Sequence, residues 1–412
     1  MNMIATARSN GFHRVLTNRL GPVASIATAQ LFGTALWFSA NSTAGDLSRI
    51  WNVSAAEIGW LTSAVQLGFI LGTLSISLSG AADRFRASSI FVFSAIAGAV
   101  FNFCFAWFSD GLVTGMIFRF CVGVCLAGIY PMGMKLIVGW APNRTGLALS
   151  QLVAMLTLGT ALPHVMRLLG SSLPWQLVIS ASSVLALFGA CVIWALGDGP
   201  HFRTSSPSNK TVVQSRASAV LRAFKARGFR AATFGYFGHM WELYTFWTIV
   251  PLVVANTSLA EQFPALGISG LSFCVIGIGA IGSLIGGLLS QRIGSARVAL
   301  GALATSGMCG FLFALGWREM PIVALVILLV IWGASVVADS PQFSALAAKA
   351  CPPECVGGAL AIQNCIGFAI TVVSIAATTA LFERVGLDAT WLLIPGPILG
   401  LISYVMTARP AR

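Results

Sequence analysis

Charged residues are scarce in this chain of 412 residues: Asp, Glu, Lys and Arg together make up only 9% of it. Soluble domains carry about 25% charged residues, whereas this chain is 57% hydrophobic, with a mean hydropathy of +0.86. Apolar runs of about 18–25 residues recur along it, and each is long enough to cross a bilayer. These features exclude a soluble protein with a very large core and predict an all-α integral membrane protein.

Metal ligands and catalytic motifs are scarce as well. The chain has four histidines and no His-Glu-x-x-His motif, phosphate loop or nucleotide fingerprint. Most of its nine cysteines lie in apolar runs; Cys351 and Cys355 flank "CPPEC", but no second pair completes a zinc site. We therefore predict that the protein is not an enzyme and that it has no catalytic residue, cofactor or bound metal. A membrane enzyme stays open as an alternative, and it would take its metal ligands from His164, His239, Glu242 and Asp339.

The apolar runs predict about twelve transmembrane helices. Residues 1–21 are polar, and the run that follows is longer than the apolar core of about 7–15 residues in a signal peptide, so it is predicted to be the first span. The predicted spans are 22–40, 57–79, 89–108, 112–138, 146–169, 174–196, 230–255, 267–290, 297–316, 320–345, 356–382 and 389–407.

Positive charge segregates between the connecting segments. With the N-terminus inside, only Arg49, Arg167, Arg318 and Arg384 lie at outer ends, and Arg119 and Lys135 fall in the fourth span. The other 18 of the 24 Lys and Arg residues lie inside. By the positive-inside rule, this bias predicts that both termini are cytoplasmic. It also accounts for the net charge of +12 without a nucleic-acid partner, since basic segments lie near anionic membrane lipids.

A basic segment at 197–229 divides the chain into two similar halves of six helices. We predict an N-terminal tail at 1–21, a first half at 22–196, a cytoplasmic linker at 197–229, a second half at 230–407 and a C-terminal tail at 408–412. "QLFGTALW" in the first span aligns with "YFGHMWEL" in the seventh through a shared Phe-Gly, and "ADRFR" has a counterpart in "SQRIG". Repeated halves are typical of secondary transporters, whose substrate site lies between them.

Four stretches resemble motifs of the major facilitator superfamily. "SGAADRFRA" (79–87) is similar to the loop after the second helix, and "GLLSQRIGS" (287–295) is its second-half copy. "FRFCVG" (118–123) resembles the fourth-helix motif, and "GWAPNRTGLAL" (139–149) the loop that follows it. The resemblance implies two pseudo-symmetric six-helix halves and alternating access. The fifth helix lacks the full glycine-proline pattern of the drug antiporters in this superfamily.

The resemblance implies a gating motif at the cytoplasmic helix ends. Its residues are Asp83, Arg84, Arg144 and Arg292. A carboxylate near a helix N-terminus, or paired with Arg144, can hold two helices together. The alternative is that these residues only orient the chain in the membrane.

Charged residues well inside the predicted spans fall on helices that line the cavity in this superfamily. They are Arg119 in the fourth helix, Glu242 in the seventh and Asp339 in the tenth, and His239 joins Glu242 three residues away. Such residues are usually functional, because a charge at the bilayer centre costs at least ~2.5–3.5 kcal/mol. We predict that Glu242, Asp339 and His239 couple transport to protons. A permanent structural pair of Glu242 with His239 or Arg119 is the alternative.

Substrate contacts are predicted from the polar and aromatic residues of the same helices. Arg119 would bind a carboxylate or pair with an acidic residue. The other candidates are Gln30, Trp37, Asn41, Trp241, Tyr244 and Gln342. Near the outer end of the fifth helix, His164 and Arg167 have the same spacing as His239 and Glu242. They form either an anion vestibule or an interfacial anchor.

These features predict a secondary transporter of a small polar solute, coupled to protons. Uptake of a small organic anion by symport is the favoured function. Efflux of amphipathic, drug-like compounds by antiport is the alternative. In that case, overexpression of the protein would confer resistance to those compounds. The partners expected are the substrate, protons and membrane lipids. We expect a monomer in the plasma membrane, specifically the bacterial inner membrane.

Overall fold

A computed structural model describes residues 11–141, 145–201, 223–351 and 356–408, and these residues form helices and connecting turns without a β-strand. Nine helical stretches in this part of the chain are long and apolar enough to cross a membrane. Their outward faces carry large apolar side chains such as Phe93 and Val113, which are 75% and 71% exposed. This surface fits a lipid environment and confirms the prediction of a helical membrane protein.

The long helices are labelled in chain order. They are α1 (Pro22–Thr34), α2 (Ala55–Ser79), α3 (Ala87–Phe108), α4 (Leu112–Trp140), α5 (Thr145–Leu169), α6 (Trp175–Leu196), α7 (Arg227–Ala255), α8 (Gly267–Ile293), α9 (Ser295–Gly316), α10a (Ile322–Ala338), α10b (Ser340–Ala350), α11 (Val356–Val385) and α12 (Pro395–Ala408). Short helices at Asn41–Thr43, Ala44–Trp51 and Gly386–Leu393 connect some of them.

Several of the predicted spans differ from a simple apolar helix. The first was predicted to run over 22–40, but α1 ends at Thr34 and residues 35–40 form turns. Helix α7 has 29 residues, and its buried His239 and Glu242 reduce its hydropathy. Helices α11 and α12 form one apolar stretch because only a 3₁₀ helix of eight residues joins them. The count of twelve spans therefore stays a prediction.

Glycines bring corresponding helices of the two halves into the same close packing. A Cβ on Gly123 of α4 would lie 2.0 Å from the Val65 carbonyl oxygen of α2, and one on Gly68 equally close to that of Phe120. In the second half, a Cβ on Gly282 of α8 would lie 1.9 Å from the Ala334 carbonyl oxygen of α10a. Small residues allow such approach between membrane helices, and the repetition supports two related halves.

The halves meet along two helix pairs, α2 with α11 and α5 with α8. At the first pair, Gly59 packs against Thr379, where a Cβ would lie 2.6 Å from the threonine oxygen. At the second pair, the Ser283 hydroxyl donates to the Ser150 carbonyl at 3.2 Å. We call the side where α1 ends and α2 begins the outer side, following the predicted topology. On this side, the Glu383 carboxylate of α11 accepts a hydrogen bond from the Ala56 N–H of α2 at 2.9 Å.

Candidate functional site

A small central cavity lies between the two halves. Its volume is about 20 Å³, and because a water molecule needs roughly 10–15 Å³ on this measure, it holds about one. Helices α4, α5, α7, α10a, α10b and α11 supply its lining, which consists of Tyr130, Val153, Leu156, Thr157, Tyr236, Met240, Leu243, Tyr244, Trp247, Val337, Ser340 and Phe368. The two halves therefore enclose this cavity, and α7 contributes the largest number of its lining residues.

Aromatic rings from both halves close this cavity toward the outer side. The Trp37 ring stacks on Phe368, with centroids 5.7 Å apart and planes 21° apart, and lies 5.6 Å from Tyr244. Phe38 lies 6.2 Å from Tyr244 and meets Trp247 edge-on at 5.8 Å. These five residues are called the aromatic wall. Because Trp37 and Phe38 belong to the first half and the others to the second, the wall must separate if the cavity opens outward.

Tyrosine is concentrated at the cavity. The chain has only four tyrosines, and three of them, Tyr130, Tyr236 and Tyr244, line this small space. Within the described residues, none of their three hydroxyls forms a hydrogen bond with another protein group. A phenol hydroxyl both donates and accepts, and a buried one normally has a partner. The cavity therefore offers three polar groups to whatever enters it.

His239 and Asp339 form a buried contact beside the cavity. His239 Nδ1 lies 2.8 Å from Asp339 Oδ1, and both side chains are fully buried. The contact is short, but the atoms are not aligned as in a directional hydrogen bond. The His239 ring also lies 5.8 Å from that of Tyr236, and Asp339 precedes the cavity residue Ser340. The pair is thus one layer behind the cavity wall.

A break in the tenth helix positions Asp339. Helix α10a ends at Ala338 and α10b begins at Ser340, with Pro341 in its first turn. The Asp339 carbonyl accepts from the N–H groups of Gln342 and Phe343 at 3.0 and 2.9 Å. Proline cannot continue the α10a hydrogen-bond ladder, which explains the break. The stretch "ADSPQF" (338–343) places this proline inside an apolar run, a pattern that predicts such an interruption.

Glu242 has different neighbours from His239, although the two are three residues apart. Its Oε2 accepts from the Ser306 hydroxyl at 2.8 Å and its Oε1 from Trp332 Nε1 at 2.7 Å. Glu242 therefore faces α9 and α10a, inside the second half, and does not line the cavity. The structure shows no pair of Glu242 with His239 or Arg119 among the described residues: Asp339 contacts His239, and Ser306 and Trp332 bind Glu242.

Arg119 is buried, and it contacts neutral groups at the end of α1. Nη2 donates to the carbonyls of Leu36 and Trp37 at 2.9 and 2.5 Å. Nη1 donates to Ser39 Oγ at 3.0 Å and Asn102 Oδ1 at 2.9 Å. The described part of the chain contains no acidic partner within ion-pair distance of it, and Arg119 is not among the cavity-lining residues.

The other predicted binding residues are scattered. Gln30 is fully buried on α1, beside Gly133 of α4, and Asn41 exchanges hydrogen bonds with Thr62 near the outer end. Trp241 donates to the Leu392 carbonyl at 2.6 Å and lines a separate apolar groove with α11 and α12. Gln342 is buried beside the α10 break. Of the predicted binding residues, only Tyr244 lines the cavity directly, and Trp37 packs on it.

The predicted gating motif is only partly described. Arg144 and the side chain of Asp83 lie outside the described residues, so the proposed latch stays a prediction. Arg84 and Arg292 are exposed at helix ends. Arg86 instead pairs with Asp198 at 2.7 Å, and Asp198 also accepts from the N–H of Ser88 in the first turn of α3. On the outer side, Arg167 pairs with Asp46 at 2.7 Å, so it is anchored to a carboxylate.

Sequence reasoning missed several residues of this site. Tyr130, Tyr236 and Phe368 line the cavity, and Ser306 and Trp332 bind Glu242. The rarity of tyrosine was a signal that could have identified the first two. No group of three or more possible metal ligands occurs in the residues that the structure describes.

Comparison with known proteins identifies the family. A family model for the Major Facilitator Superfamily matches residues 26–370. The chain belongs to the Major Facilitator Superfamily. Two solved structures of this superfamily share the fold: a mutant of the nucleoside transporter NupG, and the proton:xylose symporter XylE. Their TM-scores are both 0.69, at 14% and 12% identity, over 93% of this chain and 98% and 94% of theirs.

Two curated Major Facilitator relatives are similar in sequence. The 3-(3-hydroxy-phenyl)propionate transporter of Escherichia coli K12 is 27% identical over 286 residues, which is 68% of this chain and 66% of the relative. The putative niacin/nicotinamide transporter NiaP of Bacillus subtilis 168 is 23% identical over 176 residues, 42% of this chain and 43% of the relative. The matched region thus spans less than two thirds of either relative. The Major Facilitator Superfamily consists of multi-pass membrane transporters, which are not enzymes.

Proposed function

We propose that this chain takes up a small aromatic carboxylate together with protons. The observation that carries the proposal is the composition of the central cavity, where Tyr130, Tyr236 and Tyr244 offer hydroxyls with no partner among the described residues, beside the rings of Trp247 and Phe368. Rings stack or meet edge-on at 4.5–7 Å with a gain of ~0.5–1.5 kcal/mol per pair. Such a site suits a planar ring that carries a polar group.

The substrates named for both curated relatives contain one aromatic ring, and hydroxyphenylpropionate and niacin are carboxylic acids. This agrees with a small organic anion. Among the described residues that line the cavity there is no Lys or Arg, so the carboxylate would be held by hydroxyl donors and by a protonated His239 one layer behind.

The His239–Asp339 pair is the proposed site of proton exchange nearest to the substrate. A carboxylate and one proton that cross together move no net charge, which avoids the cost of a charge at the bilayer centre. Glu242 is the second proposed proton carrier, and it acts through α10a, because Trp332 bonds its carboxylate. Both carboxyl groups are therefore linked to the tenth helix. Asp339 lies at its break, beside the cavity, and Glu242 bonds to Trp332 of α10a.

Uptake into proteoliposomes tests this function. With acid outside, the protein should accumulate hydroxyphenylpropionate and nicotinate above their equilibrium level, and cyclohexanecarboxylate, a saturated ring of similar size, much less. Tyr244→Phe keeps the ring and removes the hydroxyl, and it should raise KM by roughly tenfold, the effect of ~1.4 kcal/mol. Equal uptake of both ring types would contradict the aromatic site. Export driven by an acid interior would favour antiport, the alternative.

We also propose twelve spans with both termini in the cytoplasm of a bacterial inner membrane, and a monomer. The bias of basic residues toward one side supports this topology. Reporter fusions after residues 21, 200 and 408 should all report the cytoplasm, and a periplasmic signal at 200 would contradict the assignment of the linker.

A further inference from the structure

Arg119 binds the end of α1 at a place where the backbone needs donors. Helix α1 stops at Thr34, and residues 35–40 form turns inside the protein. Carbonyls at and just beyond the end of a helix have no partner within the helix. An unpaired carbonyl in a water-free environment costs several kcal/mol. Two guanidinium N–H groups reach the Leu36 and Trp37 carbonyls. The C-terminal end of a helix also attracts positive charge, so this buried cation is stabilised without a carboxylate.

The turn that Arg119 contacts contains the two residues of the aromatic wall that belong to the first half. Trp37 and Phe38 project from it onto Tyr244, Trp247 and Phe368 of the second half. Trp37 is further fixed through Nε1, which donates to Gln66 Oε1 at 3.3 Å. The position of the turn therefore determines where the outer face of the cavity lies.

Both terminal nitrogens of Arg119 are already engaged. Nη1 and Nη2 make four hydrogen bonds, and the guanidinium lies 5.5 Å from the centre of the Phe105 ring. The remaining donor, Nε, is buried and has no partner among the described residues. A substrate carboxylate could bind the two terminal nitrogens only by displacing Ser39, Asn102 or the α1 carbonyls.

We infer that Arg119 is a positioning residue, which holds the non-helical end of α1 so that Trp37 and Phe38 form the outer wall of the substrate cavity. It binds neither the substrate charge nor the transported proton. The part of this inference that concerns substrate rests on the proposed function; the part that concerns the α1 turn does not.

The first test measures the turn without transport. Lysine keeps the charge but has no planar fork that spans two carbonyls and two side chains. In Arg119→Lys, amide hydrogens of segment 35–43 should exchange at least about tenfold faster, the effect of ~1.4 kcal/mol. Arg167→Lys, the same substitution at the Asp46 ion pair, should leave segment 35–40 unchanged. Unaltered exchange in Arg119→Lys would overturn the inference.

The second test separates positioning from charge recognition. Nicotinate and nicotinamide have the same ring and differ in charge. Arg119→Lys should raise KM for both by the same factor and leave the pH profile of uptake in place. Trp37→Ala should raise KM similarly, and the double variant should be no worse than Trp37→Ala alone, since the two residues act in one unit. A selective loss of nicotinate, or a shifted pH profile, would overturn the inference.

Ser39→Ala provides a milder variant if Arg119→Lys does not fold. It removes one Arg119 contact and should give smaller changes in the same directions, and no change in either readout would also count against the inference. If the wild type transports no probe, the proposed function fails, and the exchange measurement still decides whether Arg119 holds the turn.

Discussion

The hydrogen bond from Trp332 to Glu242 offers a quantitative test of the buried network in the second half. Trp332 is fully buried, its Nε1 donates to Glu242 Oε1 at 2.7 Å, and its ring packs on Phe246 and Phe313. Trp332→Phe removes the donor and keeps an aromatic ring. Trp247 is the matched control, because it is also fully buried between two aromatic residues. Its Nε1 has no partner among the described residues.

The expected difference in the free energy of unfolding follows from a comparison of Trp332→Phe with Trp247→Phe. Both substitutions remove a similar apolar area, so the cost of lost packing cancels in the difference. A hydrogen bond to a charged group contributes ~1.5–3 kcal/mol, and one to a neutral group ~0.5–1.5 kcal/mol. Trp332→Phe should therefore lower the free energy of unfolding by about 1.5–3 kcal/mol more than Trp247→Phe if Glu242 is ionised. A smaller difference would indicate a protonated carboxyl.

Reversible unfolding by SDS in mixed micelles measures these free energies. Ser306→Ala should act in the same direction, since its hydroxyl is the second donor to Glu242 at 2.8 Å. Equal destabilisation by Trp332→Phe and Trp247→Phe, within about 0.5 kcal/mol, would refute the role assigned to this hydrogen bond.

Two further predictions concern the packing and the closure of the halves. Gly123→Ala should destabilise the protein by about 1–3 kcal/mol, because the new Cβ meets a carbonyl oxygen of α2; Gly301→Ala, which meets nothing within 4 Å, should be neutral or stabilising by SDS unfolding. Glu383→Gln should shift the population toward the outward-open state about two- to fivefold, since the carboxylate caps α2 across the interface; spin-label distances between the outer ends measure this. Glu57→Gln weakens the cap of the same helix within one half and should not shift it.

Much of the fold could be predicted from the sequence because lipid imposes simple constraints. Apolar runs must form helices in a bilayer, and four motif stretches, among them the one around Arg119, indicated the superfamily. The end of α1 at Thr34 could not be predicted. Its turn is mostly apolar in sequence, and the guanidinium that donates to its Leu36 and Trp37 carbonyls comes from α4, far along the chain.

For the candidate site, the sequence predicted which helices carry the buried polar residues better than which residues they contact. The unusual charges on α7 and α10 indicated the correct helices, and "ADSPQF" indicated the break. The pairings depend on helix rotation, which periodicity in an all-apolar environment does not determine. Hence His239 contacts Asp339 and not Glu242, Trp241 faces α12, and Arg119 donates to the α1 turn.

Gradient-driven uptake in Asp339→Asn proteoliposomes tests the central claim most directly. Asparagine keeps the shape of the side chain and cannot exchange a proton, so the variant should lose accumulation of hydroxyphenylpropionate under an acid-outside gradient while it retains exchange of labelled for unlabelled substrate. Glu242→Gln, assayed in parallel, shows whether the second carboxyl shares this role. Accumulation by Asp339→Asn at the wild-type level would contradict proton coupling through the His239–Asp339 pair.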